Sequence, residues 1–171
     1  SVELHTLRRR LDAAPVTVVL GRAGIGKTAT VREAVRGRRP LEIGVRPGDD
    51  LRQVLLAIGR VLAGHVVVPT TLGDVAVLGD GIVRAAEHVE ATIVVDDLHH
   101  LAEKEARALL ERTLAVARSS RWIFVSRTLP RGRWNRLTIE LDDLDPRALA
   151  RIARALAPGA KRAEIAAIVE A

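Results

Sequence analysis

The chain has 171 residues, a formal net charge of +6, 48% hydrophobic residues and no cysteine. These values suit one globular domain, or one domain plus the start of another, and the lack of cysteine excludes disulfides and thiolate metal sites. No apolar run is long enough to span a membrane and the N-terminal segment lacks the apolar stretch of a signal peptide, so we expect a cytoplasmic protein without a membrane partner.

The charged and aromatic residues give little support for nucleic acid as a direct partner. The arginines are scattered along the chain among 21 acidic residues, so the positive charge alone is weak support for nucleic-acid binding. Aromatic residues make up only 2%, too few for a series of base-stacking contacts. The chain contains no methionine, not even at position 1, and we therefore expect it to be a piece of a longer protein.

Helical and strand patterns alternate along the chain. Continuous β-branched runs predict strands that are buried on both faces, and apolar residues at helical spacing predict amphipathic helices that cover a parallel sheet. The predicted elements are a lead-in helix at 2–11, strands at 16–20, 41–45, 92–95, 122–125 and 137–141, and helices at 27–36, 51–62, 75–89, 103–117, 146–156 and 161–171. The stretch 65–69 is apolar but has no assigned role, beyond a possible loop packed under the helices.

The first strand is followed by a phosphate-binding pattern, GRAGIGKT, which is the Walker A motif in its strand–loop–helix context. Glycines let the backbone N–H groups turn toward a phosphate, and the following helix adds its positive dipole end. We expect Lys27 to reach the β- and γ-phosphates and Thr28 to place its hydroxyl on Mg²⁺. The predicted nucleotide contacts are Gly21, Arg22, Ala23, Gly24, Ile25, Gly26, Lys27, Thr28 and Ala29.

A second strand ends in two carboxylates, in the order Ile93-Val94-Val95-Asp96-Asp97, which is the Walker B pattern. Strand-terminal acids often only cap the next helix, but the motif upstream favours a catalytic pair. Asp96 is predicted to hold Mg²⁺ through water, facing Thr28 across the β- and γ-phosphate oxygens. Asp97 is predicted to polarise the water that attacks the γ-phosphate.

A third strand ends in Ser126-Arg127. The carboxyl ends of parallel strands open onto one edge of the sheet, where ligands bind, so Arg127 is a candidate sensor of the γ-phosphate. The alternative is a surface arginine at a strand end. A metal site at His99 and His100 is not expected, because adjacent residues do not share a helix face and no cysteine or further histidine completes a ligand set. Loop or capping roles, or one contact with the phosphate edge, are expected for them.

Together, GRAGIGKT, TIVVDDLHHL and WIFVSRTLP resemble the core of the STAND class, the signal-transduction ATPases with numerous domains, which includes NB-ARC and NACHT switches and large LuxR-type bacterial regulators. The resemblance implies an α/β fold, a parallel five-stranded P-loop NTPase sheet flanked by helices, at 1–143. It also implies the start of a helical lid subdomain at 144–171, with a Gly-x-Pro motif just beyond it. The segment 2–7 resembles the stretch that follows the class's Gly-Arg-Glu motif.

The resulting hypothesis is a nucleotide switch that binds ATP or ADP with Mg²⁺, hydrolyses ATP slowly, and controls oligomerisation or an effector. Lys27, Asp97 and Arg127 are its predicted catalytic residues, and Thr28 and Asp96 its metal ligands. Its expected partners are nucleotide, further copies or domains of a longer protein, and DNA through domains outside this chain. The alternatives are a DNA-associated AAA-type ATPase, such as a loader or transposition helper, and a P-loop kinase.

Overall fold

A computed structural model describes residues 2–68 and 73–141. Its helices are α1 (Val2–Ala13), α2 (Lys27–Val35), α3 (Leu51–Leu62), α4 (Val75–His88) and α5 (Glu103–Val116), and its strands are β1 (Val16–Leu20), β2 (Leu41–Gly44), β3 (Thr92–Asp96), β4 (Arg121–Ser126) and β5 (Thr138–Glu140). No helix within these ranges is long and apolar enough to cross a bilayer. The predicted helical subdomain at 144–171 lies outside the described residues.

The strands form one five-stranded sheet in the order β2-β3-β4-β1-β5, and every adjacent pair is parallel. β4 lies between β1 and β3. Because parallel strands end at the same edge, the segments that follow β1, β3 and β4 lie side by side. The predicted α/β fold, a five-stranded parallel sheet flanked by helices, is confirmed.

Helices cover both faces of this sheet. On one face, α1 and α2 pack on a cluster that includes Val19 and Val125, and on the other a larger cluster joins the sheet to α3, α4 and α5. The sequence of β4 is continuously apolar because both of its faces are covered. Trp122 and Phe124 belong to one cluster and Ile123 to the other, and all three are fully buried. A strand covered on both faces cannot alternate with polar residues.

The N-termini of two helices have side-chain caps. At α3, the Asp50 carboxylate accepts from the Gln53 backbone N–H while the Gln53 side chain accepts from the Asp50 N–H, a complete capping box. At α4, Asp74 accepts from the Ala76 N–H. These caps fix where the helices begin, and so which of their faces meets the sheet.

Two strands are shorter than predicted. β2 ends at Gly44, although the Val45 N–H still donates to the Asp96 carbonyl at 2.9 Å, and β5 lacks Leu137 and Leu141 although both bond to the β1 backbone. In residues 65–68, the described part of the unassigned stretch after α3, Val66 packs against the core, as a loop packed under the helices would, while Val67 is 93% exposed.

Candidate functional site

The loop between β1 and α2 provides the geometry of an anion site. Gly26 precedes α2 with φ 82° and Gly24 has φ 79°, conformations that favour glycine. Gly21 also has no room for a side chain, since a Cβ there would lie 2.2 Å from Ile25 Cδ1 and 2.9 Å from the Leu141 carbonyl oxygen. No side chain among the described residues caps the N-terminus of α2. Its first N–H groups are therefore free to bind an anion.

Lys27 folds back over this loop. Its Nζ donates to the Gly21 carbonyl at 2.8 Å and to the Arg22 carbonyl at 2.6 Å, and the residue is only 8% exposed. Burial, followed by the nearby Arg127, lowers the pKa of Lys27, while Asp96 and Asp97 act in the opposite direction. The ammonium is thus desolvated and held by two carbonyl oxygens that incoming phosphate oxygens could replace.

Thr28 and Asp96 are in direct contact. The Thr28 hydroxyl donates to Asp96 Oδ2 at 2.7 Å, and the Asp97 backbone N–H donates to Asp96 Oδ1 at 2.9 Å. The first bond joins the start of α2 to the end of β3, across the end of β4. A carboxylate beside a hydroxyl is the hard oxygen donor set that Mg²⁺ prefers, so these two residues fit that ion.

The Asp97 carboxylate, unlike that of Asp96, accepts no hydrogen bond from the described residues. Its backbone is left-handed, with φ 57° and ψ 37°, at the start of a single 3₁₀ turn over Leu98–His100. Its side chain is 48% exposed and lies 3.9 Å from His99 Nδ1. Within residues 2–68 and 73–141, no hydrogen-bond donor engages its carboxylate, and the group therefore remains free to accept a hydrogen bond from water or ligand.

Arg127 lies at the end of β4, exposed, on the flank of the phosphate loop. It lines a pocket of about 550 Å³ with Leu20, Gly21, Arg22, Ile25, Glu140 and Leu141. Its charge lowers the pKa of both Lys27 and His99, so it lies within electrostatic range of each. The preceding Ser126 is fully buried and its hydroxyl donates to the Thr128 carbonyl at 2.6 Å, which fixes the turn that carries Arg127.

His99 is the residue whose surroundings the sequence did not reveal. Its side chain is 12% exposed, and both ring nitrogens are buried without a hydrogen-bond partner in the part of the chain that the structure describes. Burial, followed by His100 and Arg127, lowers the pKa of His99. The structure adds a third group that can bind a metal ion to the histidine pair, namely the Asp97 carboxylate, which has an oxygen within 4.8 Å of a nitrogen of each ring.

The structure therefore brings most of the predicted site residues to one edge of the sheet. Lys27 and Thr28 begin α2, Asp96 ends β3, and Asp97 and Arg127 follow their strands directly. The other residues predicted to contact the nucleotide differ in how exposed they are to solvent. Arg22, Ala23 and Gly24 are exposed in the loop, Gly21, Gly26 and Ala29 are half-buried, and Ile25 is buried.

No protein-family model matches the sequence, and no curated protein is significantly similar to it. Solved structures are similar in fold. The Orc1 protein of Aeropyrum pernix, in complex with DNA, aligns with 92% of this chain at a TM-score of 0.66 and 19% identity. A STAND protein with a tetratricopeptide repeat sensor from Pyrococcus horikoshii aligns with 99% at 0.59 and 22% identity, and Cdc6p from Pyrobaculum aerophilum with 89% at 0.63 and 19% identity.

The chain spans only part of each of these proteins, namely 48% of the Orc1 chain, 27% of the STAND chain and 47% of the Cdc6p chain. At identities of this size the likeness concerns the fold. The shared features are the parallel sheet and the helices on both of its faces. The chain therefore has the α/β fold of the P-loop NTPases.

Proposed function

We propose that this chain is the nucleotide-binding core of a STAND-type signal-transduction ATPase, a switch that binds ATP or ADP with Mg²⁺ and hydrolyses ATP slowly. The observation that carries the proposal is the 2.7 Å hydrogen bond between the Thr28 hydroxyl and Asp96 Oδ2. It joins residues 68 positions apart, the two that the phosphate-loop and strand-end patterns assign to one metal ion.

Lys27 and the start of α2 supply phosphate binding. The Lys27 ammonium would exchange its bonds to the Gly21 and Arg22 carbonyls for bonds to phosphate oxygens, which are stronger because both partners are charged. The free N–H groups at the start of α2 would add further donors. Thr28 and Asp96 would hold Mg²⁺, which when bound neutralises charge on the phosphate oxygens.

Asp97 and Arg127 would act on the γ-phosphate. The exposed Asp97 carboxylate would accept a hydrogen bond from the attacking water and orient it. Arg127, on the flank of the loop, would stabilise the negative charge that the phosphoryl oxygens carry in the transition state. Water oxygen then bonds to the γ-phosphorus as the bond to the β-phosphate oxygen breaks, and ADP and phosphate leave. Slow turnover is expected, because an arginine supplied by another molecule or domain is worth about 10³–10⁵ in rate.

The assignment to a switch has two supports. The three motifs occur in the order found in the STAND class, and the similarity to the Pyrococcus horikoshii STAND protein extends over 99% of this chain. Control of oligomerisation or an effector would then depend on further copies or on other domains of a longer protein.

A DNA-associated ATPase is the second candidate. It is favoured by the similarity to an Orc1 protein described in complex with DNA and by the net charge of +6. This candidate predicts DNA binding by the present chain that weakens steeply with salt, because each neutralised phosphate releases counterions. Salt-independent or absent DNA binding would contradict it.

The metal-dependence of ATP binding tests the first proposal. We expect Mg²⁺ to raise the ATP affinity of the unmodified chain, and Thr28→Val to lose most of that increase while keeping the affinity measured without Mg²⁺. Thr30→Val is the matched control, since its hydroxyl lies in the same helix, is buried and has no partner among the described residues. Equal Mg²⁺ dependence in the two variants would contradict the assignment.

A further inference from the structure

Asp97, His99 and His100 form a side-chain cluster just beyond β3. The left-handed Asp97 backbone and the 3₁₀ turn over Leu98–His100 fold the chain back, so that side chains close in sequence point to one side. One ligand atom from each of the three lies within 4.8 Å of the others. The two imidazole centroids are 4.3 Å apart.

His99 lacks a partner in this cluster. Both of its ring nitrogens are buried, and neither forms a hydrogen bond with any described residue. A buried polar group that lacks a hydrogen bond destabilises the fold unless a ligand supplies one. A neutral imidazole has one ring nitrogen with a free lone pair, which can bind a metal ion.

We propose that Asp97, His99 and His100 form a site for a divalent transition-metal ion of the zinc class, distinct from the Mg²⁺ position at Thr28 and Asp96. Imidazole nitrogen suits Zn²⁺, Cu²⁺ and Ni²⁺, whereas Mg²⁺ favours carboxylates, carbonyls and water. Two histidines and one carboxylate leave a fourth position open for water, as in many zinc sites.

The distances allow such a site after small side-chain rotations. Zinc–nitrogen bonds of about 2.0–2.1 Å in tetrahedral geometry place neighbouring ligand atoms roughly 3.3 Å apart. His99 Nδ1 and Asp97 Oδ1 are already 3.9 Å apart, and no pair in the cluster exceeds 4.8 Å. The ligand atoms therefore need to approach one another by only about 1.5 Å or less.

The charges around the cluster are mixed. Arg127 and Lys27 lower the pKa of His99, so both are close enough to oppose a bound cation, and Asp97 acts in the opposite sense. The Asp97 carboxylate is therefore the anion that offsets this repulsion, and its loss should weaken metal binding strongly.

Metal binding would also remove Asp97 from the reaction. This consequence rests on the proposed function: a carboxylate that is bound to zinc cannot orient water, so zinc should lower ATP turnover without displacing the nucleotide. Binding itself is independent of that function, because none of its three ligands needs a nucleotide to be present.

The test is a Zn²⁺ titration of the full chain without nucleotide, in excess Mg²⁺, followed by the NMR signals of its five histidine rings. We expect saturable binding of one ion that shifts two of the five signals, which His99→Ala and His100→Ala identify. Loss of a direct ligand in His100→Ala should reduce zinc affinity by at least roughly 10–100-fold, the range seen even for outer ligand-supporting residues. His65→Ala and His88→Ala, which remove exposed histidines elsewhere, are the matched controls and should bind as the unmodified chain.

Several results would overturn the site. They are an absence of saturable binding, equal affinity in His100→Ala and His65→Ala, or displacement of zinc by Mg²⁺, which would place the ion at Thr28 and Asp96 instead. An unchanged unfolding temperature of zinc-free His100→Ala shows that the comparison concerns folded protein. Because no nucleotide is added, failure of ATP binding and failure of this site are separate results.

Discussion

Titratable side chains at the two edges of the sheet differ in how many hydrogen bonds they form. At the amino edge, Glu87 near the end of α4 accepts hydrogen bonds from the backbone N–H groups of Arg118, Ser119 and Ser120 and from the Ser120 hydroxyl. At the carboxyl edge, Asp97 has an exposed carboxylate and His99 has buried nitrogens without partners among the described residues. At the amino edge, Glu87 is therefore held by hydrogen bonds within the fold, whereas at the carboxyl edge Asp97 and His99 keep polar atoms that no described residue hydrogen-bonds.

At the carboxyl edge, Asp97→Asn is the variant with the largest expected effect, which is on ATP hydrolysis. Asparagine tolerates the left-handed backbone of this position, so the fold and ATP binding should persist. Loss of the water-orienting carboxylate should lower single-turnover ATP hydrolysis roughly 10²–10⁴-fold. Asp74→Asn, which keeps a good helix cap at α4, is the control. Equal turnover in the two variants would assign the water to another residue.

At the amino edge, Glu87→Gln tests how much the hydrogen-bonded Glu87 carboxylate stabilises the fold. Burial would raise the pKa of Glu87, but the hydrogen bonds from Ser120, Arg118 and Ser119 outweigh it and lower that pKa from 4.5 to about 2. A carboxyl with a lowered pKa stabilises the folded state above its unfolded pKa, and this stabilisation is lost as the pH falls from 4.5 toward about 2. The full pKa shift would correspond to about 3 kcal/mol, but solvent reaches the partly buried carboxylate and glutamine keeps one acceptor oxygen. We therefore expect Glu87→Gln to lower the free energy of unfolding at pH 7 by about 2 kcal/mol.

Chemical denaturation of the two proteins between pH 2 and pH 7 measures this difference. The difference in unfolding free energy between Glu87→Gln and the unmodified chain should be constant above about pH 5 and disappear as the pH falls from 4.5 toward about 2. Glu90→Gln, an exposed residue just after α4, should leave stability nearly unchanged. A gap that is independent of pH would show that Glu87 contributes by packing rather than by charge.

Arg127→Ala has the smallest expected effect. If Arg127 contacts the γ-phosphate, its loss should weaken ATP binding by about 10-fold relative to ADP, the value of one charge-assisted hydrogen bond. Competition between the two nucleotides measures the ratio directly. Arg133→Ala removes an exposed arginine from the following loop and should leave the ratio alone. If Arg127→Ala leaves the ratio of ATP to ADP affinity unchanged, Arg127 does not contact the γ-phosphate and is only a surface arginine.

The sequence predicted the elements better than the contacts between them. Continuous apolar strands such as Thr92–Asp96 and the glycine pattern around Gly26 have local causes, namely burial on both faces and a left-handed backbone. The order of the strands depends on long-range pairing, such as Val18 with Phe124, that no local pattern encodes. The motifs assign Thr28 and Asp96 to one ion and so predict that they lie near each other, but not the direct hydrogen bond between them.

The surroundings of His99 were missed for a related reason. Periodicity treats His99 and His100 as neighbours that point apart, but the left-handed Asp97 and the 3₁₀ turn bring their rings together. A left-handed conformation at an aspartate is sterically possible but is not signalled by its neighbours. The capping box of Asp50 and Gln53, by contrast, has a local pattern that predicts where α3 begins.

The most direct test of the account is calorimetric titration of the chain with ATP and GTP in Mg²⁺, repeated on Lys27→Ala and on Lys104→Ala as an exposed-lysine control. We expect ATP-selective binding of one nucleotide, kept in Lys104→Ala and weakened roughly 100-fold or more in Lys27→Ala, since about two charge-assisted hydrogen bonds are lost. Equal ATP affinity in both variants would contradict the assignment of the loop as a nucleotide site.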